Sequence, residues 1–207
     1  MENKKRTLFI TQFGILLAIE AVFCFTPLGQ IPLGVIVATL AAIPIVITAI
    51  LLGTKAGSLM GAFAGLFSFI VWTFMPPNPA AAFVFTPFYS FGEFTGNFWS
   101  LVVCFVPRIL VGTVAGVVFT AMKKLGAKND ILRYAVSAAL GSLTNTVGVL
   151  GGIWLFFGGQ YSTVFGATIL YIVGFLVLTN GLPEAVVAAV VTPAVCKPLQ
   201  IVTRKKA

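Results

Sequence analysis

The sequence predicts an all-α membrane protein, a bundle of six transmembrane helices in a single domain over residues 1–207. Three observations favour this fold class. Hydrophobic residues make up 59% of the chain and charged residues 9%, far below the roughly 25% of soluble domains. The apolar runs are about 20 residues long, as a membrane-spanning helix requires, and they do not alternate as the strands of a membrane barrel do. Apart from Arg108, the basic residues lie at the chain ends and in short polar breaks.

The first three spans follow from apolar runs that end at turn signals. They are predicted at residues 8–25, 35–52 and 57–75. Span one ends at Thr26-Pro27-Leu28-Gly29, a sequence typical of a turn. In span three, Gly57, Gly61 and Gly65 recur every four residues, which places them on one helix face. We interpret this face mainly as a packing surface inside the bundle, because small residues commonly let membrane helices approach each other closely.

A long connection, residues 76–98, separates spans three and four. It is rich in Phe, Pro and Gly and contains no Lys or Arg. A connection of this length is either functional or disordered, and aromatic side chains favour packing over disorder. We therefore predict an ordered outer lid over a binding site, with an interfacial aromatic anchor as the alternative.

The distribution of basic residues fixes the predicted number of spans. Spans four, five and six are expected at residues 99–122, 134–157 and 183–202, with residues 158–180 as an outer excursion. With the amino terminus inside, six spans leave every basic break inside, whereas a seventh would put Arg204-Lys205-Lys206 outside. Both termini are therefore predicted to be cytoplasmic. Asn180 is expected to cap the last span, with Pro183 and Glu184 in its first turn.

Several function classes are excluded by composition. The chain has no histidine, which removes Ser-His catalysis and most zinc chemistry, and its three cysteines are far apart. The break Gly53-Thr54-Lys55 lacks the spacing of a phosphate-binding loop. The basic residues form no patch with interleaved aromatics, so no nucleic acid is expected as a partner. We expect no catalytic residues, no metal site and no cofactor in this chain.

Arg108 is the cationic residue that lies deepest in an apolar run. Placing a guanidinium in hydrocarbon costs from about 3 to more than 10 kcal/mol, so such a residue faces a partner, a cavity or a ligand. Its neighbour Pro107 has no N–H, so the backbone carbonyl one turn earlier, at about Val103, is expected to be free. Arg108 is thus either a ligand anchor or a structural arginine with a buried partner.

Other polar residues are predicted to lie at a similar depth, at or above the middle of the membrane. With a rise of 1.5 Å per residue, Glu20, Arg108 and Asn145 fall near one level on three different helices. Glu184 is expected near the outer start of span six. These residues predict either a water-accessible outer pocket or one hydrogen-bonded cluster. Glu20 is a candidate both for an ion pair with Arg108 and for a ligand contact, and the sequence leaves the two open.

Four segments carry a resemblance to a known family. They are Phe25-Thr26-Pro27-Leu28-Gly29-Gln30-Ile31-Pro32, Val106-Pro107-Arg108, Ser142-Leu143-Thr144-Asn145-Thr146 and Thr179-Asn180-Gly181-Leu182-Pro183-Glu184. With six spans and an aromatic lid, the chain resembles the substrate-binding S components of energy-coupling factor (ECF) transporters, in particular the pantothenate-specific members. The resemblance covers nearly the whole chain.

The resemblance implies a vitamin-binding subunit in the bacterial cell membrane. Its partners would be a membrane scaffold subunit and two cytoplasmic ATPases, and these ATPases, not this chain, would use ATP. Family members are thought to topple in the membrane and to dock through small residues on the first span, typically Ala-x-x-x-Ala. Here Gly14 and Ala18 have that spacing and Ala21 follows, so we expect docking through these three residues.

The chemistry of the candidate residues is compatible with pantothenate. Its carboxylate suits the guanidinium of Arg108, and its dimethyl group suits the lid, where Phe85 and Tyr89 are the candidates. Its amide and hydroxyl groups suit polar side chains. The candidates for these polar contacts are Asn145, Thr144, Asn180, Glu184 and Glu20.

Two alternatives remain open. A pyridoxine-type vitamin with an amine would bind through Glu20 or Glu184 rather than Arg108, and riboflavin is a further possibility within the same class. An intramembrane enzyme would use Glu20, Arg108 and Glu184 for acid–base chemistry, since desolvated carboxylates can do this.

Overall fold

The computed structural model describes residues 2–33, 36–126 and 129–204, and within them the chain is mostly helical. The helices are α1 (Glu2–Phe25), α2 (Ala42–Leu52), α3 (Thr54–Phe74), α4 (Phe98–Lys124), α5 (Asp130–Phe165), α6 (Ile169–Leu176) and α7 (Leu182–Arg204). Two short antiparallel hairpins are formed by β1 (Gln30–Leu33) with β2 (Ile36–Thr39) and by β3 (Ser90–Phe91) with β4 (Phe94–Thr95). Short 3₁₀ helices occupy Pro27–Gly29 and Pro79–Val84.

Five helical stretches are long and apolar enough to cross a membrane, as an all-α membrane protein requires. They are Arg6–Phe25, Thr54–Phe74, Phe98–Lys124, Asp130–Phe165 and Ile169–Gln200. The first, third and fourth predicted spans coincide with α1, α3 and α4 to within a few residues. Of the basic residues used to count the spans, Lys128, Lys205 and Lys206 lie outside the described residues.

The second predicted span, residues 35–52, is wrong in its first half. Its starting residue, Val35, lies outside the described residues, and residues 36–39 form β2, paired with β1 in a register that joins Gln30 to Thr39. β-Branched residues in β2 favour extended pairing over a helix. Helix α2 begins only at Ala42 and is about 16 Å long, half the thickness of the hydrocarbon core. Residues 43–50 are all buried, so α2 is a core helix enclosed by the longer ones.

The last third of the chain also differs from the prediction. Instead of an excursion over residues 158–180, α5 runs on to Phe165, and the next helix begins at Ile169. That helix continues from α6 into α7 through a π-helical turn, Val177–Gly181. Asn180 therefore lies inside a continuous helix and does not cap its start. Glycines at 158 and 159 do not break α5, because a helix in an apolar setting keeps its backbone hydrogen bonds internal.

The glycine face of α3 packs inside the bundle. A Cβ built on Gly61 would overlap the backbone carbonyl of Arg108 in α4, and one on Gly112 of α4 would overlap the carbonyl of Gly57. Helices α3 and α4 thus approach at backbone distance along this seam. The interpretation of the glycine face as an internal packing surface is confirmed, and the seam fixes the position of the Arg108 backbone.

The connection between α3 and α4 is ordered and partly buried, with residues 81–86 all inaccessible or nearly so. The ring of Phe85 stacks on Trp72 of α3 at 4.4 Å between centroids. At its far end, Asn97 caps α4: its side chain accepts a hydrogen bond from the Trp99 amide, while Ser100 Oγ accepts one from the Asn97 amide. The connection is therefore anchored at both ends.

Two hydrophobic clusters divide the interior. One surrounds α2 and includes Val46, Met60 and Tyr134. The other joins the connection to α4 and α5 and includes Phe83 and Phe157, whose rings meet edge to face. A cavity lies between these clusters, and members of both line it.

Candidate functional site

The cavity between the two clusters measures about 420 Å³, within the range of about 300–1,000 Å³ for small-molecule sites. It is bounded by helices α1 to α5, the connection between α3 and α4, and the π-helical turn with the start of α7. Six of the eight residues predicted to bind a ligand line it. They are Glu20, Phe85, Arg108, Asn145, Asn180 and Glu184.

Arg108 is held in the cavity wall by its own helix. Its Nη1 donates a hydrogen bond of 3.0 Å to the carbonyl of Val103, and its Nη2 donates one of 3.4 Å to Ser68 Oγ. Val103 is four residues before Pro107, so its carbonyl has no proline N–H to accept, as the sequence predicted. The guanidinium also lies 5.5 Å from the Phe85 ring centre, within cation–π distance. Pro107, which has no N–H, therefore leaves free the Val103 carbonyl that orients Arg108.

Glu20 is fully buried on α1 and faces the same cavity. Its Oε1 accepts a weak hydrogen bond from Cys24 Sγ at 3.4 Å, and its Oε2 has no hydrogen-bond partner among the described residues. Glu20 and Arg108 do not form an ion pair within 4.0 Å, so the pairing left open by the sequence is not formed. The cavity thus has a carboxyl group and a guanidinium that are not neutralised by direct contact with each other.

The polar run of α5 reaches the cavity through Asn145 and Thr146. Asn145 Oδ1 is buried and accepts no hydrogen bond from any described group. Gly181, in the π-helical turn, packs against the Thr146 side chain, where a Cβ would lie 2.6 Å from Cγ2. This close approach brings Asn180 and Glu184 to the cavity beside α5. π-Helical turns occur often at functional sites because they displace side chains from regular helical positions.

Two predicted ligand residues are not in the cavity wall. Thr144 donates its hydroxyl to the carbonyl of Leu140 at 2.7 Å, one turn earlier in α5. Tyr89 lies in the connection, before β3, and its carbonyl accepts a hydrogen bond from Gly96. On a helix, consecutive residues point about 100° apart, so Thr144 and Asn145 cannot share one orientation.

Sequence reasoning missed several wall residues that carry polar or aromatic groups, among them Ser68, Trp72, Asn78 and Tyr161. Ser68 and Trp72 follow Ala64 at four-residue intervals in α3, and this spacing is a signal that could have identified them. Tyr161 lies beyond the predicted end of span five, so the assumed span length removed it from consideration.

The described side chains give no group of three or more His, Cys, Asp or Glu residues that could hold a metal ion. The wall is otherwise mostly apolar and aromatic, with a few convergent polar groups. This arrangement can bind an organic molecule that carries an anionic end, hydrogen-bond donors and an apolar body.

The residues predicted to dock a partner lie on the outside of α1. Gly14 and Ala18 are exposed and Ala21 is half-buried. A Cβ built on Gly14 meets no atom within 4 Å. Helix α1 is the least enclosed of the membrane-capable helices, with 11% of its apolar stretch buried. A small-residue face is therefore accessible from outside the bundle.

Comparison with known proteins identifies the family of this chain. The family model described as "ECF transporter, substrate-specific component" matches residues 8–196. The chain is 36% identical over 159 residues to the pantothenic acid transporter PanT of Lactococcus lactis subsp. cremoris, covering 76% of this chain and 74% of the relative. It is 32% identical over 192 residues to the pantothenate transporter PanT of Leuconostoc mesenteroides, covering 88% and 77%. The chain belongs to the substrate-specific components of ECF transporters, the vitamin-uptake subunits of the bacterial cell membrane.

Proposed function

We propose that the chain binds pantothenate in the cavity between the two hydrophobic clusters. The observation that carries this proposal is the Arg108 guanidinium, which the Val103 carbonyl holds at the cavity wall and which has no carboxylate partner among the described residues. A guanidinium in this setting favours an anionic ligand group, and a carboxylate forms strong, charge-assisted hydrogen bonds with it. The names of the two relatives support the same ligand.

The other polar groups complement the rest of the molecule. Pantothenate has two hydroxyl groups and an amide N–H, all of which can donate hydrogen bonds. Glu20 Oε2 and Asn145 Oδ1 are buried acceptors without a described donor, and leaving a buried acceptor unpaired costs about 1–3 kcal/mol. The ligand's hydroxyl and amide groups supply these donors. Its dimethyl group then packs against the stacked Phe85 and Trp72.

The finer arrangement in the membrane is part of the proposal. Six membrane elements, with the short α2 as the second, place both termini in the cytoplasm and the connection between α3 and α4 outside, where it covers the cavity as a lid. The family implies partners from an ECF module. We propose that these are a scaffold subunit, which contacts Gly14, Ala18 and Ala21, and two ATPases. The chain itself then catalyses no reaction and holds no cofactor.

Titration calorimetry on the purified full chain, without nucleotide or other subunits, tests the proposed ligand. We expect saturable one-to-one pantothenate binding. Pyridoxamine and riboflavin at about a hundredfold excess should leave the pantothenate affinity unchanged within twofold. If pyridoxamine displaces pantothenate from the native chain but not from Glu20→Gln, the result would instead support the amine-bearing vitamin that the sequence left open.

Pro107→Ala is expected to weaken pantothenate binding by about fivefold, which corresponds to about one hydrogen bond. The alanine N–H can donate to the Val103 carbonyl and so compete with Arg108 for its acceptor. Calorimetry measures the affinity. Pro198→Ala is a matched control, because Pro198 is an exposed proline inside α7 and does not line the cavity. Equal affinities for the two variants would show that Pro107 has no role in orienting Arg108.

Gly14→Leu is expected to abolish assembly with the scaffold subunit while pantothenate affinity stays within twofold. A larger side chain has room in the isolated chain but blocks close approach of a partner helix. Co-purification with the ECF module measures assembly. Gly159→Leu on α5, where a Cβ also meets nothing within 4 Å, is the control and should assemble normally. Normal assembly of Gly14→Leu would remove Gly14 from the interface.

A further inference from the structure

A second concavity, of about 770 Å³, opens between α1, α2 and α7. Its lining differs from that of the proposed vitamin cavity. Its wall is apolar along most of its length, with Ile15 and Ile19 from α1, Ile43 and Ile47 from α2, and Val195 from α7. Only one end is polar. We call this concavity the α1–α2–α7 groove.

The polar end of the groove carries two cationic side chains. Lys123 comes from the last turn of α4 and Arg133 from the first turn of α5. Arg133 forms an ion pair with Asp130, its guanidinium lies 5.7 Å from the Phe119 ring centre, and its buried Nε has no hydrogen-bond partner among the described residues. Lys123 pairs with no described carboxylate. The end therefore has net positive charge.

The length of the groove corresponds to one leaflet of a bilayer. Along α1 it extends from Gln12 to Phe23, about 17 Å at 1.5 Å per residue, and along α7 from Val191 to Gln200, about 14 Å. Half of a hydrocarbon core of about 30 Å is about 15 Å. Helix α2 lines the groove along nearly its whole length, from Ile43 to Leu52.

We propose that the α1–α2–α7 groove binds one anionic phospholipid, with an acyl chain along the apolar wall and the phosphate at Lys123 and Arg133. The length of the apolar groove and its cationic end together match an amphiphile whose charged group lies at the membrane surface. Each Lys or Arg near an anionic headgroup contributes about 1 kcal/mol, or about fivefold in affinity. The proposal does not depend on which vitamin the other cavity holds.

The groove lies on a different face of α1 from the proposed docking residues. At 100° per residue, the mean direction of Ile15, Ile19 and Phe23 lies roughly 120° from that of Gly14 and Ala18. A lipid in the groove and a scaffold helix at the small-residue face can therefore be present together, and variants on the two faces can be separated experimentally.

Native mass spectrometry of the delipidated full chain, titrated with dioleoyl phosphatidylglycerol or dioleoyl phosphatidylcholine, tests this proposal. We expect one phosphatidylglycerol to be retained at least about tenfold more tightly than phosphatidylcholine. The double variant Lys123→Gln with Arg133→Gln should lose about thirtyfold in phosphatidylglycerol affinity. The control double variant, Lys124→Gln with Lys197→Gln, removes the same charge from exposed positions outside the groove. It should change the phosphatidylglycerol affinity by less than threefold.

A second pair of variants tests the apolar wall without altering charge. Val195→Phe fills the groove and should prevent lipid retention, whereas Val190→Phe, exposed on the same helix outside the groove, should retain lipid normally. Thermal unfolding verifies that both variants fold. Equal retention of the two phospholipids, unchanged retention in Val195→Phe, or competition by glycerol phosphate as effective as by phosphatidylglycerol would overturn the proposal. Loss of scaffold assembly in Val195→Phe with lipid retention unchanged would also overturn it and identify a partner surface.

Discussion

Arg108→Ala is expected to weaken pantothenate binding by about thirtyfold or more. Removing one partner of a buried, hydrogen-bonded charge pair costs about 2–5 kcal/mol, much of it from leaving the other charge unpaired. The lost guanidinium also leaves the Val103 carbonyl without its donor, so the unfolding temperature should fall as well. Calorimetry and thermal unfolding on the purified chain measure the two effects separately.

A change in the ligand distinguishes an anion anchor from a structural arginine. Pantothenol carries an alcohol in place of the carboxylate and has the same apolar body. We expect the native chain to bind pantothenol much more weakly than pantothenate, and Arg108→Ala to bind the two with similar affinity. If Arg108→Ala instead weakens both ligands by the same factor, Arg108 acts on the shape of the cavity and not on the carboxylate.

Gly61→Ala is expected to destabilise the fold and to weaken the vitamin site at once. The added Cβ overlaps the backbone carbonyl of Arg108, and backbone cannot rotate away as a side chain can. Overpacking of this kind costs about 1–3 kcal/mol or more, or a fall in Tm of about 2–4 °C per kcal/mol. Because the atom displaced belongs to Arg108, pantothenate affinity should fall by more than the loss of stability alone predicts.

Two other glycines calibrate the Gly61 result. At Gly65 the nearest atom to a built Cβ is Phe105 Cδ1, at 2.9 Å, and a side chain can move, so Gly65→Ala should cost less. At Gly151 on α5 no atom lies within 4 Å, so Gly151→Ala should leave Tm unchanged or raise it slightly through helix propensity. A Tm for Gly61→Ala equal to that of Gly151→Ala would show that α3 and α4 are not packed as described.

The parts of the fold that the sequence predicted well are those with a local chemical signal. The end of α1, for example, is marked by Thr26-Pro27. The high free-energy cost of a charge in an apolar run identified Arg108 as a candidate. The missing N–H of Pro107 predicted that the Val103 carbonyl would be free. In each case one residue type has one dominant physical requirement, so its environment could be inferred without tertiary information.

The parts that failed depend on lengths and contacts that the sequence does not state. A fixed span of about 20 residues suggested an excursion at 158–180, but α5 continues to Phe165 and so brings Tyr161 to the cavity. Asn180 reaches the cavity from a π-helical turn. In the sequence, an Asn before Pro looks the same whether it starts a helix or lies in such a turn. Thr144 and Asn145 are adjacent in sequence, yet only Asn145 lines the cavity, since the rotation of α5 is set by its packing against α4 and α7.

The bond between Arg108 and the Val103 carbonyl ties ligand choice to the backbone of α4. A lineage that exchanges an acidic vitamin for a neutral one gains nothing by keeping a buried guanidinium, but losing Arg108 alone leaves a carbonyl exposed in an apolar interior. Replacing Pro107 at the same time restores an N–H for that carbonyl and removes the difficulty. The two neighbouring positions therefore form one evolutionary unit, and relatives that bind uncharged vitamins are expected to differ from this chain at both.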